Sequence, residues 1–210
     1  MEKVGQPLVA QKLVSIFSGA ARPRIPFSVN EVAKGTDIYH FPFFSPMLAD
    51  EIAQVVENAP YEPSLTSSGG GRDHRRSHGF FMHEISRALV ESFISYASEP
   101  LDYAVRHAWQ WTFSNIADVS LLRYEPGEFY LRHIDAADSE LCAIRQVSFV
   151  IYLSDDCLGG NTFFPRQKVS IVPKKGWAVI FPSGITHPHE AQSIISGVKY
   201  VIVGWLFRAA

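Results

Sequence analysis

The second half of the chain restricts the fold most. There, residues 119–124, 129–135, 146–153, 169–173, 177–181 and 199–207 are short β-forming runs separated by Gly, Pro and Asp. Short strands of this kind bury their apolar positions only by stacking two sheets or closing one, so a sandwich or barrel is expected. Helix-like segments all come earlier. At 210 residues, 47% of them hydrophobic, the chain can bury one sizeable core but not two comfortable ones. No internal repeat is visible.

One of these runs carries chemistry. Tyr124 to Asp135 reads as a turn at Glu125-Pro126-Gly127 feeding a strand, whose period-two alternation would place Phe129, Leu131, His133 and Asp135 on one face. An imidazole beside a carboxylate supplies two corners of a facial 2-His-1-carboxylate site, the donor set that suits Fe(II) and leaves coordination positions open. A His-x-Asp tripeptide alone also arises by chance on a half-exposed strand. The chain must then offer a second histidine downstream, and it offers two: His187 and His189, which share a face if their segment is extended.

Further features follow in order: Gly159-Gly160-Asn161-Thr162, Phe181-Pro182-Ser183, His187-Pro188-His189-Glu190 and Gly197-Val198-Lys199-Tyr200. With His133 and Asp135 they make residues 37–207 resemble the Fe(II)- and 2-oxoglutarate-dependent dioxygenases, in particular the prolyl-4-hydroxylase-like branch. The resemblance implies that His133, Asp135 and His189 hold the iron, with His187 as the rival to His189. It also implies that Lys199, ten residues after His189, binds the distal carboxylate of 2-oxoglutarate, with Tyr124, Tyr152 and Thr162 as helpers. The apolar strand after Lys199 supports this, because a buried lysine needs an anion. The implied reaction is hydroxylation of an unactivated carbon, consuming O2 and releasing succinate and CO2, with ascorbate as a reductant.

The architecture inferred is mainly β with N-terminal helices and a double-stranded β-helix (jelly roll) core. Residues 1–36 would be a helix and connector, and 37–210 a single dioxygenase domain with its catalytic core at about 119–207. In 146–153, Val147, Phe149, Ile151 and Leu153 form an apolar face, and Gln146, Ser148 and Tyr152 a polar one turned towards the ligand. The substrate expected is a small molecule, an amino acid or biosynthetic intermediate. A peptidyl, prolyl-type protein hydroxylase is the alternative, and a non-catalytic jelly-roll binding module the alternative from another class.

Before the strands, Val9, Leu13, Ile16 and Phe17 recur at helical spacing, in a basic segment read as a docking helix or a targeting segment. Residues 37–44 read as a strand. Ser45-Pro46 then opens a helix with a serine cap and proline in the first turn, its apolar face Leu48, Ile52, Val55 and Val56. Residues 84–98 form a helix that Pro100 is expected to end, followed by a second piece at 101–107, and Trp109, Trp111 and Phe113 alternate as strand residues would. Between them, 63–78 is rich in Ser, Gly and charge. By resemblance, its Arg76-Ser77-His78 end belongs to a lid over the substrate.

A net charge of -2 gives no electrostatic reason to expect a nucleic-acid partner or an anionic membrane surface. Two cysteines without CxxC spacing suggest neither a disulfide framework nor a zinc knuckle. No apolar run approaches the ~20 residues that span a bilayer. A soluble, cytoplasmic protein is the expectation.

Overall fold

The computed structural model describes residues 6–64, 71–136 and 144–207. In chain order the elements are α1 (Gln6–Gly19), β1 (Asn30–Glu31), β2 (Tyr39–Pro42), α2 (Pro46–Glu57), β3 (Glu62–Pro63), α3 (Gly71–His74), β4 (Arg75–Arg76), β5 (His78–Phe81), α4 (Met82–Ile85), α5 (Arg87–Trp109), β6 (Asn115–Tyr124), β7 (Phe129–His133), β8 (Arg145–Tyr152), β9 (Leu158–Gly159), β10 (Thr162–Phe164), β11 (Val169–Ile171), β12 (Trp177–Pro182), β13 (His189–Ala191), β14 (Ile194–Ser196) and β15 (Lys199–Phe207). The fold is mainly β, and among the described residues every helix precedes β6.

Eight strands form one sheet in the order β1-β2-β12-β8-β15-β6-β5-β3, and five form a second in the order β11-β10-β13-β7-β4. One apolar core lies between the larger sheet and the helices. It takes Val147, Phe149, Ile151 and Leu153 from β8 and its end, together with Leu13, Ile52, Phe93 and Leu101. A second core lies between the sheets, built from Leu122, Tyr124, Tyr152, Phe164, Phe181 and Val201. Strand 145–152 is therefore covered on both faces, and the alternation read in its sequence separates the two cores. Gln146 departs from the expected inward stripe and is exposed at the strand end.

The helical layer forms for local reasons. The Ser45 hydroxyl accepts from the Leu48 N–H at 3.2 Å and Pro46 occupies the first turn of α2. Val9, Leu13 and Phe17 of α1 are buried, with Phe17 edge-on to Phe93 of α5 at 5.3 Å.

Pro100 does not end the helix as expected. α5 runs unbroken from Arg87 to Trp109, because Ala97, Pro100, Leu101 and Ala104 are all buried and tertiary packing outweighs one lost N–H donor. Its start also differs: Ser86 caps α5 by accepting from the Leu89 N–H, so 82–85 is a separate turn. Trp109, Trp111 and Phe113 are not strand residues. Trp109 closes α5, Gln110 is left-handed (φ 58°), and all three rings pack half-buried on the first core before β6 begins at Asn115.

Candidate metal and dicarboxylate site

His133 and His189 face each other across a pair of antiparallel strands, β7 and β13. The ladder is irregular here. His189 pairs with His133 and Ala191 with Tyr130, so two steps along β13 oppose three along β7. This bulge corrects the expected alternation, since an extra residue reverses the phase of the strand. Leu131, expected beside His133, is 46% exposed, whereas Tyr130 comes onto the histidine's face and stacks on its ring at 3.5 Å. Asp135 lies just past the strand, held by the Ala136 N–H donating to Ser183 O at 2.9 Å and by Arg145 donating to the Asp135 carbonyl at 3.2 Å.

Three donor groups converge there. Asp135 Oδ1 is 3.6 Å from His133 Nε2 and Asp135 Oδ2 is 3.6 Å from His189 Nε2. One ligand atom from each residue lies within 4.8 Å of the others, a spacing that could hold a metal ion. The opposite ring nitrogens are already engaged: His133 Nδ1–H faces the Leu131 carbonyl at 2.8 Å and His189 Nδ1–H the His187 carbonyl at 3.1 Å. Such backbone acceptors fix the tautomer that leaves Nε2 with a free lone pair.

Burial, then neighbouring His189, push the His133 pKa well below its ordinary value, so the ring is a neutral donor. Burial alone would raise the Asp135 pKa. His189, His133, the Ser148 hydroxyl (2.6 Å) and the Trp205 indole outweigh it and keep the group ionised. His187 does not join this group. Its Nε2 meets the Thr36 carbonyl at 2.8 Å and its Nδ1 the Thr186 hydroxyl at 2.9 Å.

The same cavity, of about 190 Å³, continues from these residues to Lys199 and is lined by Tyr124 and Thr162 among others. Lys199 is 2% exposed, donates to the Gly160 carbonyl at 2.7 Å and stands 4.5 Å from the Tyr124 ring. Among the described residues no carboxylate pairs with it, and burial pushes its pKa down to about 8. Gly160 is left-handed (φ +68°), and a Cβ there would lie 2.3 Å from Ile194 Cδ1. Tyr152 acts one step back, its hydroxyl bonded to that of Thr162 at 2.7 Å. Burial raises the pKa of both Tyr124 and Tyr152, which keeps their phenols protonated.

The 71–78 segment is placed differently from expectation. Arg76, Ser77 and His78 do not line the cavity, whereas Arg75 does. Arg76 pairs with Asp73 at 3.7 Å, Ser77 is fully buried and accepts from Arg75 Nε at 2.9 Å, and His78 reaches Glu128 at 3.0 Å. Their order matters: pairing of β4 with β7 sets Arg75 opposite Tyr130 and Arg76 opposite Phe129, on opposite faces.

Sequence reasoning also passed over Tyr130, Arg145 and Trp205, which line the cavity's other wall. Trp205 could have been found by counting in twos from Lys199 through Val201 and Val203. Its indole is turned towards Asp135, and the Arg145 guanidinium lies 3.6 Å over its ring.

Two imidazoles and one carboxylate with an open side make up the non-haem iron class of donor set. The donors fit ferrous iron, and a buried ammonium without a counter-charge fits the far carboxylate of a dicarboxylate. Residues 119–207 match the family model of the 2OG-Fe(II) oxygenase superfamily, and this stretch is a domain of that superfamily. Procollagen-lysine,2-oxoglutarate 5-dioxygenase 1 of Rattus norvegicus is 27% identical over 188 residues, covering 81% of this chain and 24% of that protein. Prolyl 4-hydroxylase 1 of Arabidopsis thaliana is 28% identical over 169 residues, covering 69% of this chain and 58% of that one. A prolyl hydroxylase from Trichoplax adhaerens, solved with a hypoxia inducible factor peptide fragment, superposes with a TM-score of 0.63 at 16% identity, covering 97% of this chain and 90% of that one. That last likeness speaks for the fold. The chain thus spans about a quarter of the length of the first curated relatives it matches. No helix among the described residues is long and apolar enough to cross a membrane.

Proposed function

We propose that this chain is an Fe(II)- and 2-oxoglutarate-dependent dioxygenase that hydroxylates a prolyl or lysyl side chain within a peptide, on a double-stranded β-helix formed by the two facing sheets. The observation that carries the reading is one cavity with the His133–Asp135–His189 cluster on its wall and the buried Lys199 at its far end. Ferrous iron, with a 2-oxo acid and dioxygen, would supply the oxidising power for C–H hydroxylation. The protein's part is to place groups.

In this reading His133, Asp135 and His189 hold the metal. Lys199 holds the distal carboxylate of 2-oxoglutarate by a charge-assisted hydrogen bond, helped by the Tyr124 and Thr162 hydroxyls, and Tyr152 orients Thr162. Ser148, donating to Asp135, keeps that carboxylate ionised and turned to the metal. Tyr130 and Trp205 offer aromatic walls to the substrate side chain.

A peptidyl substrate replaces the small molecule expected from the sequence. Its support is that the curated relatives carry lysyl and prolyl hydroxylase names. Within the cavity lining, 38%-exposed Phe81 gives an incoming chain an apolar contact. Succinate release is the test. Proline- or lysine-containing peptides should stimulate it well above the substrate-free rate and free proline or lysine should not; the reverse pattern would restore the small-molecule reading.

A pH dependence follows from Lys199. Its ammonium is the binding form and loses its proton at about pH 8 in the ligand-free protein. Affinity for 2-oxoglutarate, measured with Mn(II) in place of iron, should be flat below that pH. Above it, affinity should fall by up to ~10-fold per pH unit, since each unit removes that fraction of the charged form. Lys199→Arg should flatten the profile; an unchanged fall in that variant would assign the pH effect elsewhere.

A further inference from the structure

We propose that Glu128 is a positioning residue for this reaction: its buried carboxylate clasps residues 71–78 against the turn before β7 and thereby holds Arg75 over the cavity. The proposal rests on the function argued above. Glu128 is 7% exposed and joins three pieces of chain. Its Oε2 accepts from the Glu125 N–H at 3.0 Å, closing the turn on itself. Its Oε1 lies 3.0 Å from His78 Nδ1 in β5 and 3.9 Å from Arg72 Nη2 in α3.

Between those two anchors runs β4, a two-residue edge strand that among the described residues is laddered to β7 alone. Two residue pairs are a weak hold on an edge. Among the described residues, the Ser64 N–H bond to Ser77 O (2.9 Å) and the pairing of β5 with β6 fix the far end of the segment, Arg76 lies 5.5 Å over the Phe129 ring, and the Arg76–Asp73 pair lies within the segment. Among the described residues, the Glu128 carboxylate is the group that meets both ends.

Arg75 is the side chain that the clasp places. Its guanidinium is 4.7 Å from the Tyr130 ring, which stacks on His133, so three layers run from this cation to the metal cluster. Arg75 and Ser77 also hydrogen-bond the Tyr124 hydroxyl, and the Tyr124 ring faces Lys199 Nζ. Loosening the clasp therefore disturbs the 2-oxoglutarate end of the cavity through Tyr124. The metal cluster keeps its own supports in Ser148, Leu131 O and His187 O. Glu125, itself 3.3 Å from Arg123, is the remaining anion near His78.

Glu128→Gln tests this, since the amide keeps an oxygen for the Glu125 N–H while removing the charge. Arg72→Met attacks the clasp from the other side. In both variants, metal-dependent affinity for 2-oxoglutarate should weaken, by roughly 3–5-fold in Glu128→Gln, the scale of losing a partly exposed ion pair. The 2-oxoglutarate KM should rise with it while kcat at saturation and iron affinity hold within about twofold. Trypsin cleavage after Arg75 and Arg76, and in Glu128→Gln also after Arg72, should quicken several-fold. Unchanged 2-oxoglutarate affinity and trypsin sensitivity in both variants would overturn the proposal, as would equal loss of iron and 2-oxoglutarate binding, the mark of a general structural role. If the unaltered protein binds no 2-oxoglutarate with metal present, the function argued above fails; the trypsin comparison still decides the clasp.

Discussion

Replacing Lys199 with methionine is expected to abolish 2-oxoglutarate binding and at the same time to make the ligand-free protein more stable. The two effects have one origin. Among the described residues the buried ammonium has one hydrogen-bond partner, the Gly160 carbonyl, and burial lowers its pKa from 10.5 to about 8. Because the folded value lies below the unfolded one, the penalty is present in full below about pH 8 and fades as pH rises towards 10.5.

A shift of that size corresponds to roughly 3 kcal/mol, at 1.36 kcal/mol per unit. Methionine removes this cost but orphans the Gly160 carbonyl, at about 1–2 kcal/mol, leaving a net gain of about 1 kcal/mol at neutral pH. For a chain of this length that raises Tm by about 2–4 °C. Ligand binding moves the other way. A buried carboxylate losing its cation costs about 3–5 kcal/mol, or roughly two to three and a half orders of magnitude in affinity. Thermal melts at pH 7 and a 2-oxoglutarate titration check both signs. A variant that melts lower and still binds 2-oxoglutarate would remove Lys199 from its role.

His189→Ala should lose iron by at least about 100-fold, since even outer partners of metal ligands are worth 10–100-fold. His187→Ala should keep its iron affinity within about tenfold, because the His187 carbonyl that orients His189 is backbone and survives the change. The cost of His187→Ala falls on stability. Its Nε2 bond to Thr36 O ties the loop before β13 to the connector before β2, so about 1–2 kcal/mol should be lost. Anaerobic iron titration of the two variants decides the matter, and the opposite ranking would make His187 the ligand.

What could be read in the sequence depended on whether local pattern and tertiary demand agreed. Strand 145–152 agreed: apolar residues face one core and Ser148 and Tyr152 the other, so simple alternation put Tyr152 beside Thr162. Ser45-Pro46 agreed as well, because a cap is a local device. The bulge in β7 was illegible. His133 was singled out for the right neighbours, but the extra residue that brings Tyr130 against it leaves no mark in composition. Pro100 misled because burial of both flanks of α5 outweighs a single missing donor. In the 71–78 segment, the sequence pointed to Arg76, Ser77 and His78 as the site residues, whereas Arg75 is the one that lines the cavity. The pairing of β4 with β7 selects Arg75 over Arg76, and pairing partners are not written in the strand itself.

The central claim is that one cavity holds a metal and a dicarboxylate together. Anaerobic calorimetric titration of 2-oxoglutarate into the protein, with and without Fe(II), tests it most directly. One site per chain that forms with iron and disappears when iron is omitted, or when His133 is replaced by alanine, is the expected result. Equal affinity with and without iron, or no binding in either case, would contradict it.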